Sequence, residues 1–260
     1  MEIKESLILG TVQGLTEYLP ISSSAHLMII PKFMNLPEGG LAFDVFLHFG
    51  TLLATVAYFW KDWMAILKNP LPKPGDNNLS WVHMIVATIP AALIGGFFSH
   101  QIEDYFRDPK FTAYTLSVFG VILYLVDRFR PKELKLEQTT IKQIFWVGVA
   151  QTLALVPGVS RSGSTITAAR GFRFDREASA RLSFLMSMPV TAGAVVFEGR
   201  HWHKMMESPE GMGPLLVGAG AAFVFGLIAI HGVLLLVRRS SYAWFMVYRV
   251  ALAAAVFWLI

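Results

Sequence analysis

Six long apolar stretches separated by short charged segments constrain this chain more than any other feature. They run over residues 43–60, 81–99, 111–126, 177–197, 213–237 and 242–260. A helix needs about 20 predominantly apolar residues to cross a bilayer, with a lower limit near 17. Only 15% of the 260 residues are charged and the mean hydropathy is +0.52, whereas soluble domains carry about 25% charged residues. The chain therefore reads as an all-α integral membrane protein with six transmembrane helices. The formal charge of +4 is modest, and the basic residues sit between apolar runs rather than on one helical stripe, which excludes a nucleic-acid partner. Cysteine is absent, so disulfides and thiolate-ligated metals are excluded. The start, Met1-Glu2-Ile3-Lys4-Glu5, is mixed in charge, and the apolar residues behind it run into Glu17 instead of a small-residue cleavage site. No cleavable signal peptide is expected, and the first span would act as the insertion signal.

Two further apolar regions are broken before they can span. Residues 3–16 and 24–34 flank Glu17-Tyr18-Leu19-Pro20-Ile21-Ser22-Ser23, and residues 141–156 and 164–169 flank Pro157-Gly158-Val159-Ser160-Arg161-Ser162-Gly163. A helix that stops at proline beside polar residues and resumes as a short helix reads as a re-entrant hairpin. Irregular backbone at membrane depth must then face protein or a water-filled cavity. The alternative is one kinked span in each place. Read as hairpins, the chain is a hairpin plus three spans, twice over, in halves 1–130 and 138–260 of a single membrane domain. Gly10-Thr11-Val12-Gln13 leads to Pro20-Ile21-Ser22-Ser23-Ser24, and Gly148-Val149-Ala150-Gln151 leads to Pro157-Gly158-Val159-Ser160-Arg161-Ser162. Three crossings per half would invert the second copy.

Loop charges agree with that topology. Lys61, Lys68 and Lys73 stand against Asp62 and Asp76, while Arg107 and Lys110 stand against Glu103, Asp104 and Asp108. Arg128, Arg130, Lys132, Lys135 and Lys142 follow, then Arg170, Arg173, Arg176 and Arg181. Arg200 and Lys204 face Glu198, Glu207 and Glu210, and Arg238-Arg239 end the series. The basic excess alternates sides, so both termini are expected outside the cytoplasm. One hairpin would dip in from each face, with the tips meeting near the midplane.

The residues at those tips carry the chemistry. Gln13 and Glu17 share a helix face, and a carboxylate inside an apolar segment costs roughly 2.5–3.5 kcal/mol on insertion scales. One of Ser22, Ser23 and Ser24 is expected to cap the second short helix; three hydroxyls beside Glu17 and His26 exceed what a cap requires. In the second hairpin, a glycine-flanked turn opening into a helix presents free N–H groups to an anion. Ser160, Ser162, Ser164 and Thr165 add donors, and the planar fork of Arg161 matches phosphate oxygens. Elsewhere Asp44 reads as a cap of the first span, His48 as a contact to a neighbouring helix, and Arg249 as an anchor or a paired group within the bundle. His231 has no partner visible in sequence.

Gln13-Gly14-Leu15-Thr16-Glu17-Tyr18-Leu19-Pro20-Ile21-Ser22-Ser23-Ser24-Ala25-His26, together with Pro157-Gly158-Val159-Ser160-Arg161-Ser162-Gly163-Ser164-Thr165, resembles the undecaprenyl-diphosphatase, or bacitracin-resistance, family. The resemblance extends through Arg176, Ala180, Phe184 and Pro189 and covers essentially the whole chain. The family's first motif has Glu or Gln followed four residues later by Glu; this chain has Gln13 and Glu17, the form with one carboxylate. The resemblance implies removal of the terminal phosphate of undecaprenyl diphosphate, a polyprenyl lipid of the bilayer. It also implies a divalent cation (Mg²⁺ or Ca²⁺) and a bacterial inner-membrane location with the site open to the extracytoplasmic side. Assembly as a homodimer is left open.

On that basis Arg161 and the groups near Ser160, Ser162 and Thr165 are expected to hold the diphosphate, with Gln13 and Ser22 lining the site. Glu17 is expected to bind the metal or act as base. Ser23 is expected to be the nucleophile if Glu17 or His26 takes its proton; otherwise water attacks. Broken helices meeting at the midplane also suit a flippase of a phosphorylated polyprenyl lipid, and that is the competing expectation. The other familiar lipid-phosphatase type is disfavoured because Thr167 stands where its histidine would be, and neither a Walker loop nor a His-Glu-x-x-His helix is present.

Overall fold

The computed structural model describes residues 1–37, 39–69, 79–106, 108–199 and 211–259. Lys73, Asp76, Arg107, Arg200, Lys204, Glu207 and Glu210, used above in the charge pattern, lie outside the described residues. Within them the chain is helical apart from turns and one isolated bridge, Leu134 to Phe174.

Both broken segments form two helices. The first gives α1 (Ile3–Tyr18) and α2 (Ser23–Met34), and the second gives α7 (Ile141–Thr152) and α8 (Arg161–Gly171). A 3-10 turn, Leu153–Leu155, precedes the second break. The apolar stretches become α3 (Leu41–Tyr58), α5 (Trp81–Phe106), α6 (Pro109–Phe129), α9 (Arg176–Gly199), α10 (Met212–Arg239) and α11 (Ala243–Leu259). Among these, α5, α6, α9 and α10 are long and apolar enough to cross a membrane. The stretch expected at 43–60 qualifies only when α3 is taken together with α4 (Trp60–Lys68), which turns off by 74°. The stretch at 242–260 gives a shorter apolar helix of 17 residues. Gly40, rather than Asp44, occupies the N-cap of α3, with Asp44 in the first turn.

The apolar side chains are distributed as a membrane requires. Phe97, Phe129, Val196, Trp244 and Trp258 point outward and are largely exposed, where lipid rather than water would meet them. Inside, small residues let backbones meet. α1 lies along α10, and a Cβ on Gly14 would stand 2.7 Å from the Ala222 carbonyl oxygen. α3 also lies on α10, α7 on α5, and α6 on α11. α9 packs between α3 and α5. Tyr18, at the end of α1, donates its hydroxyl to the Thr51 carbonyl at 2.5 Å and pairs with Thr55 Oγ1 at 2.9 Å, tying α1 to α3.

One end of the bundle gathers the charged segments. Asp127, at the end of α6, is buried and accepts from Arg170 Nε at 3.0 Å and Arg176 Nη2 at 2.7 Å. Arg170, itself fully buried, also donates to the carbonyls of Arg130, Pro131 and Phe174. Pairs Arg173–Glu133, Lys135–Asp175, Arg181–Asp62 and Arg238–Glu177 stand around this node. The exposed pairs among them add little stability, whereas removing Asp127 would leave Arg170 and Arg176 without their counter-charge.

Candidate active site

The two breaks repeat the same local device. Ser22 and Ser160 cap α2 and α8, and each has a positive φ, 71° and 75°. Ser22 Oγ accepts from the Ala25 amide at 3.4 Å, and Ser160 Oγ accepts from the Gly163 amide at 3.1 Å. Each cap hydroxyl also meets the serine two residues on, Ser24 at 3.1 Å and Ser162 at 3.2 Å. A non-glycine residue at positive φ costs of order 1–3 kcal/mol and persists where surrounding structure fixes it. The first residues of the two helices, Ser23 and Arg161, meet at the same carboxylate.

That carboxylate is Glu17. Its Oε1 accepts from Arg161 Nη2 at 2.6 Å; its Oε2 accepts from Ser23 Oγ at 2.6 Å and from Gln13 Nε2 at 3.0 Å. The ion pair is largely buried, with side-chain exposures of 14% for Arg161 and 8% for Glu17. The second guanidinium nitrogen of Arg161, Nη1, is buried with no partner, and so is Gln13 Oε1. The desolvation that would otherwise disfavour a buried carboxylate is therefore offset by three donors, one of them charged.

The remaining candidates take different places. His26 is buried, with Nδ1 against the Ser22 carbonyl at 2.7 Å and Nε2 against the Tyr248 hydroxyl at 2.6 Å. The carbonyl fixes a proton on Nδ1, so on the neutral ring Nε2 accepts from Tyr248, and both nitrogens are taken by groups other than Ser23 and Glu17. Ser162 Oγ donates to the Leu19 carbonyl at 3.0 Å, linking one helix break to the other. Thr165, fully buried, donates to the Arg161 carbonyl at 2.8 Å and meets Ser183 Oγ at 2.7 Å, which turns its hydroxyl toward protein. Ser164 Oγ bonds back to the Arg161 carbonyl at 3.0 Å.

Other residues join the site from places that sequence spacing did not indicate. His48, on α3, meets Gln13 Nε2 at 3.0 Å and stands 4.0 Å from Glu17 Oε2. Gln151, which matches Gln13 in the internal similarity, is buried with both amide atoms unpartnered. Arg249 approaches the tips from α11. The broken helix and a polar side chain in an apolar setting mark each broken segment in sequence; His48 and Arg249 also stand out as polar residues in apolar stretches, but nothing local says that they reach these tips. His231, without a visible partner in sequence, meets the Tyr58 hydroxyl at 3.0 Å.

A cavity of about 480 Å³ opens beside the ion pair. Its polar end is formed by Glu17, Ser22, Ser23, His48, Ser160 and Arg161. Its walls run between α5 and α9, through Ala91, Ala92, Gly95, Val190, Ala194 and Phe197, with Leu155 of the 3-10 turn, Gln151 and Glu198 also lining it. The cavity thus joins a polar end at the two helix breaks to a mainly apolar channel between two helices.

The fold and site thus define a polytopic helical membrane protein whose polar centre, made by two broken-helix tips, opens on an apolar cavity. Within that class the chain belongs to the family of the bacitracin resistance protein BacA, whose family model matches residues 6–255. It is 44% identical over 263 residues to an undecaprenyl-diphosphatase of Geotalea daltonii, covering 97% of this chain and 96% of that protein. It is also 44% identical over 266 residues to undecaprenyl-diphosphatases of Moorella thermoacetica, covering 100% of this chain and 99% of that one, and of Gemmatimonas aurantiaca, covering 99% and 97%.

Proposed function

We infer that this chain is an undecaprenyl-diphosphate phosphatase, hydrolysing the lipid diphosphate to undecaprenyl phosphate and inorganic phosphate. The observation that carries the reading is the convergence of Ser23 and Arg161 on Glu17 at the polar end of an apolar cavity. The unpartnered Nη1 of Arg161 is a donor available to a phosphate oxygen. Ser23 attacks the terminal phosphorus, its proton passes to Glu17 Oε2, and the bond to the bridging oxygen breaks, so that undecaprenyl phosphate leaves. Water then releases phosphate from Ser23. Arg161 and the first amides of α8 stabilise the charge that develops on the transferring group.

The residues present fit a Mg²⁺ or Ca²⁺ ion held chiefly by the substrate. Such hard cations take oxygen ligands, and Mg²⁺ commonly keeps waters and phosphate oxygens alongside one or two carboxylates. Glu17 would supply the carboxylate, and the buried, unpartnered Gln13 Oε1 lies beside it. Among the described residues no three His, Asp or Glu side chains form a closed cage. When bound, the ion neutralises charge on the phosphate oxygens.

Six crossings and two re-entrant hairpins, in two inverted halves, account best for the packing. The pairing of α1 with α10 is matched by α7 with α5, and α3 with α10 by α9 with α5, so equivalent helices of the two halves exchange partners. The same cap at Ser22 and Ser160 supports it. The charged end around Asp127 would face the cytoplasm by the positive-inside rule, and the cavity would then receive lipid from the extracytoplasmic side of the inner membrane.

The test uses purified protein with undecaprenyl diphosphate and Mg²⁺ or Ca²⁺. Phosphate release lost in Arg161→Ala, with single-turnover phosphate trapped on Ser23 and absent in Ser23→Ala, is the expected result. No release, with movement of the lipid across liposomes, would replace the phosphatase by a flippase.

A further inference from the structure

The guanidinium of Arg249 is the most unusual buried group outside the reacting residues. It is fully buried on α11, and among the described residues no carboxylate pairs with it. Its donors go to backbone instead. Nε donates to the Leu116 carbonyl at 2.8 Å, Nη1 to Pro20 at 3.1 Å, and Nη2 to Gly158 at 2.9 Å and Val159 at 3.1 Å. Pro20 belongs to one hairpin tip, and Gly158 and Val159 belong to the other. Carbonyls freed by a helix break at membrane depth have no water to turn to. One planar group with five donors can satisfy several at fixed mutual angles.

Glycines make room for it. A Cβ on Gly163 would lie 3.0 Å from Arg249 Nη1, and one on Gly120 would lie 3.2 Å from its side chain. The neighbouring Tyr248 holds His26 at the start of α2. Thus α11 makes two hydrogen bonds to each hairpin, close to the residues that converge on Glu17.

We propose that Arg249 is a positioning residue for phosphoryl transfer, pinning the two hairpin tips together so that Ser23 and Arg161 meet Glu17. It also leaves the buried centre with a net positive charge, since the charges of Glu17 and Arg161 cancel. Arg249 does not line the cavity and touches no substrate; it acts through the tip backbones. This role rests on the phosphatase reading.

The experiment compares wild type, Arg249→Met and Arg249→Lys as full chains in nanodiscs, by hydrogen–deuterium exchange without substrate, thermal unfolding, and phosphate-release kinetics. Arg249→Met is expected to raise exchange in residues 19–25 and 157–165 while the remaining helices keep wild-type protection. Its kcat is expected to fall about 100-fold, the scale of a 1 Å misplacement. KM should stay within about threefold, because little ground-state binding is lost. Arg249→Lys keeps the charge but reaches fewer carbonyls, and should recover about tenfold of the lost kcat with intermediate tip exchange.

Wild-type exchange at both tips would overturn the proposal, as would uniformly raised exchange with unchanged kcat per folded molecule. If Arg249→Met does not fold, Arg249→Lys decides: faster tip exchange with lower kcat supports pinning, and wild-type values refute it. Failure of the wild type to release phosphate would sink the phosphatase reading alone, because the exchange comparison requires no turnover.

Discussion

Replacing Glu17 with glutamine tests the centre with the least change in shape. The carboxylate accepts three hydrogen bonds, one at Oε1 and two at Oε2. The amide can keep an acceptor toward Arg161 only by turning its NH₂ toward Ser23 and Gln13, where Gln13 Nε2 is already a donor. Turned the other way, it sets its NH₂ against the guanidinium. In either orientation the buried Arg161 loses its counter-charge, and a broken buried pair costs about 3–5 kcal/mol. In the orientation that keeps the Arg161 contact, Ser23 also loses the acceptor of its proton. Loss of a general base is worth roughly 10²–10⁴ in rate, or about 2.7–5.4 kcal/mol of barrier at 1.36 kcal/mol per tenfold. The expected outcome is therefore a kcat lower by about 10³-fold, read as inorganic phosphate released from undecaprenyl diphosphate in detergent. Thermal unfolding in the same detergent should show a folded but less stable protein. A Glu17→Gln enzyme keeping more than about a tenth of wild-type kcat would refute proton transfer from Ser23 to Glu17.

Three further outcomes follow from the packing. Gly14→Leu must displace α1 from α10, because even a Cβ at Gly14 would stand 2.7 Å from the Ala222 carbonyl; overpacking of about 1–3 kcal/mol or more is expected, seen as a lower unfolding temperature. Asp127→Asn removes the counter-charge of Arg170 and Arg176 and should destabilise by about 3–5 kcal/mol, while kcat per folded molecule stays unchanged because the node lies away from the cavity. Tyr248→Phe leaves His26 Nε2 without its donor and should cost about 1–3 kcal/mol of stability, with phosphate release lowered far less than in Ser23→Ala.

The two broken-helix segments were legible because membrane burial penalises both their features. Proline breaks at Pro20 and Pro157, and ionisable residues at Glu17 and Arg161, are costly in an apolar run and so stand out from it. The short helix α4 was not legible, since the apolar stretch 43–60 runs without a break into Trp60 and hides the 74° turn. Nor could spacing separate the hydroxyls that face the cavity, such as Ser23, from Thr165, whose hydroxyl is spent on Arg161 and Ser183. His26 lies nine residues from Glu17 in the chain, but Tyr248 and the Ser22 carbonyl hold its ring by both nitrogens.

By itself the sequence determined that the chain is helical with several membrane-length apolar segments, that two further segments are broken, and which motifs they contain. Those properties follow from transfer energies and local backbone preferences, which are written along the chain residue by residue. Only the tertiary structure decided that Ser23 and Arg161 meet on one carboxylate, that His48 closes on Gln13, and that Arg249 spans both tips. Each is a contact between helices far apart in sequence, fixed by small-residue packing and by the need of buried carbonyls for donors, and no local pattern encodes it.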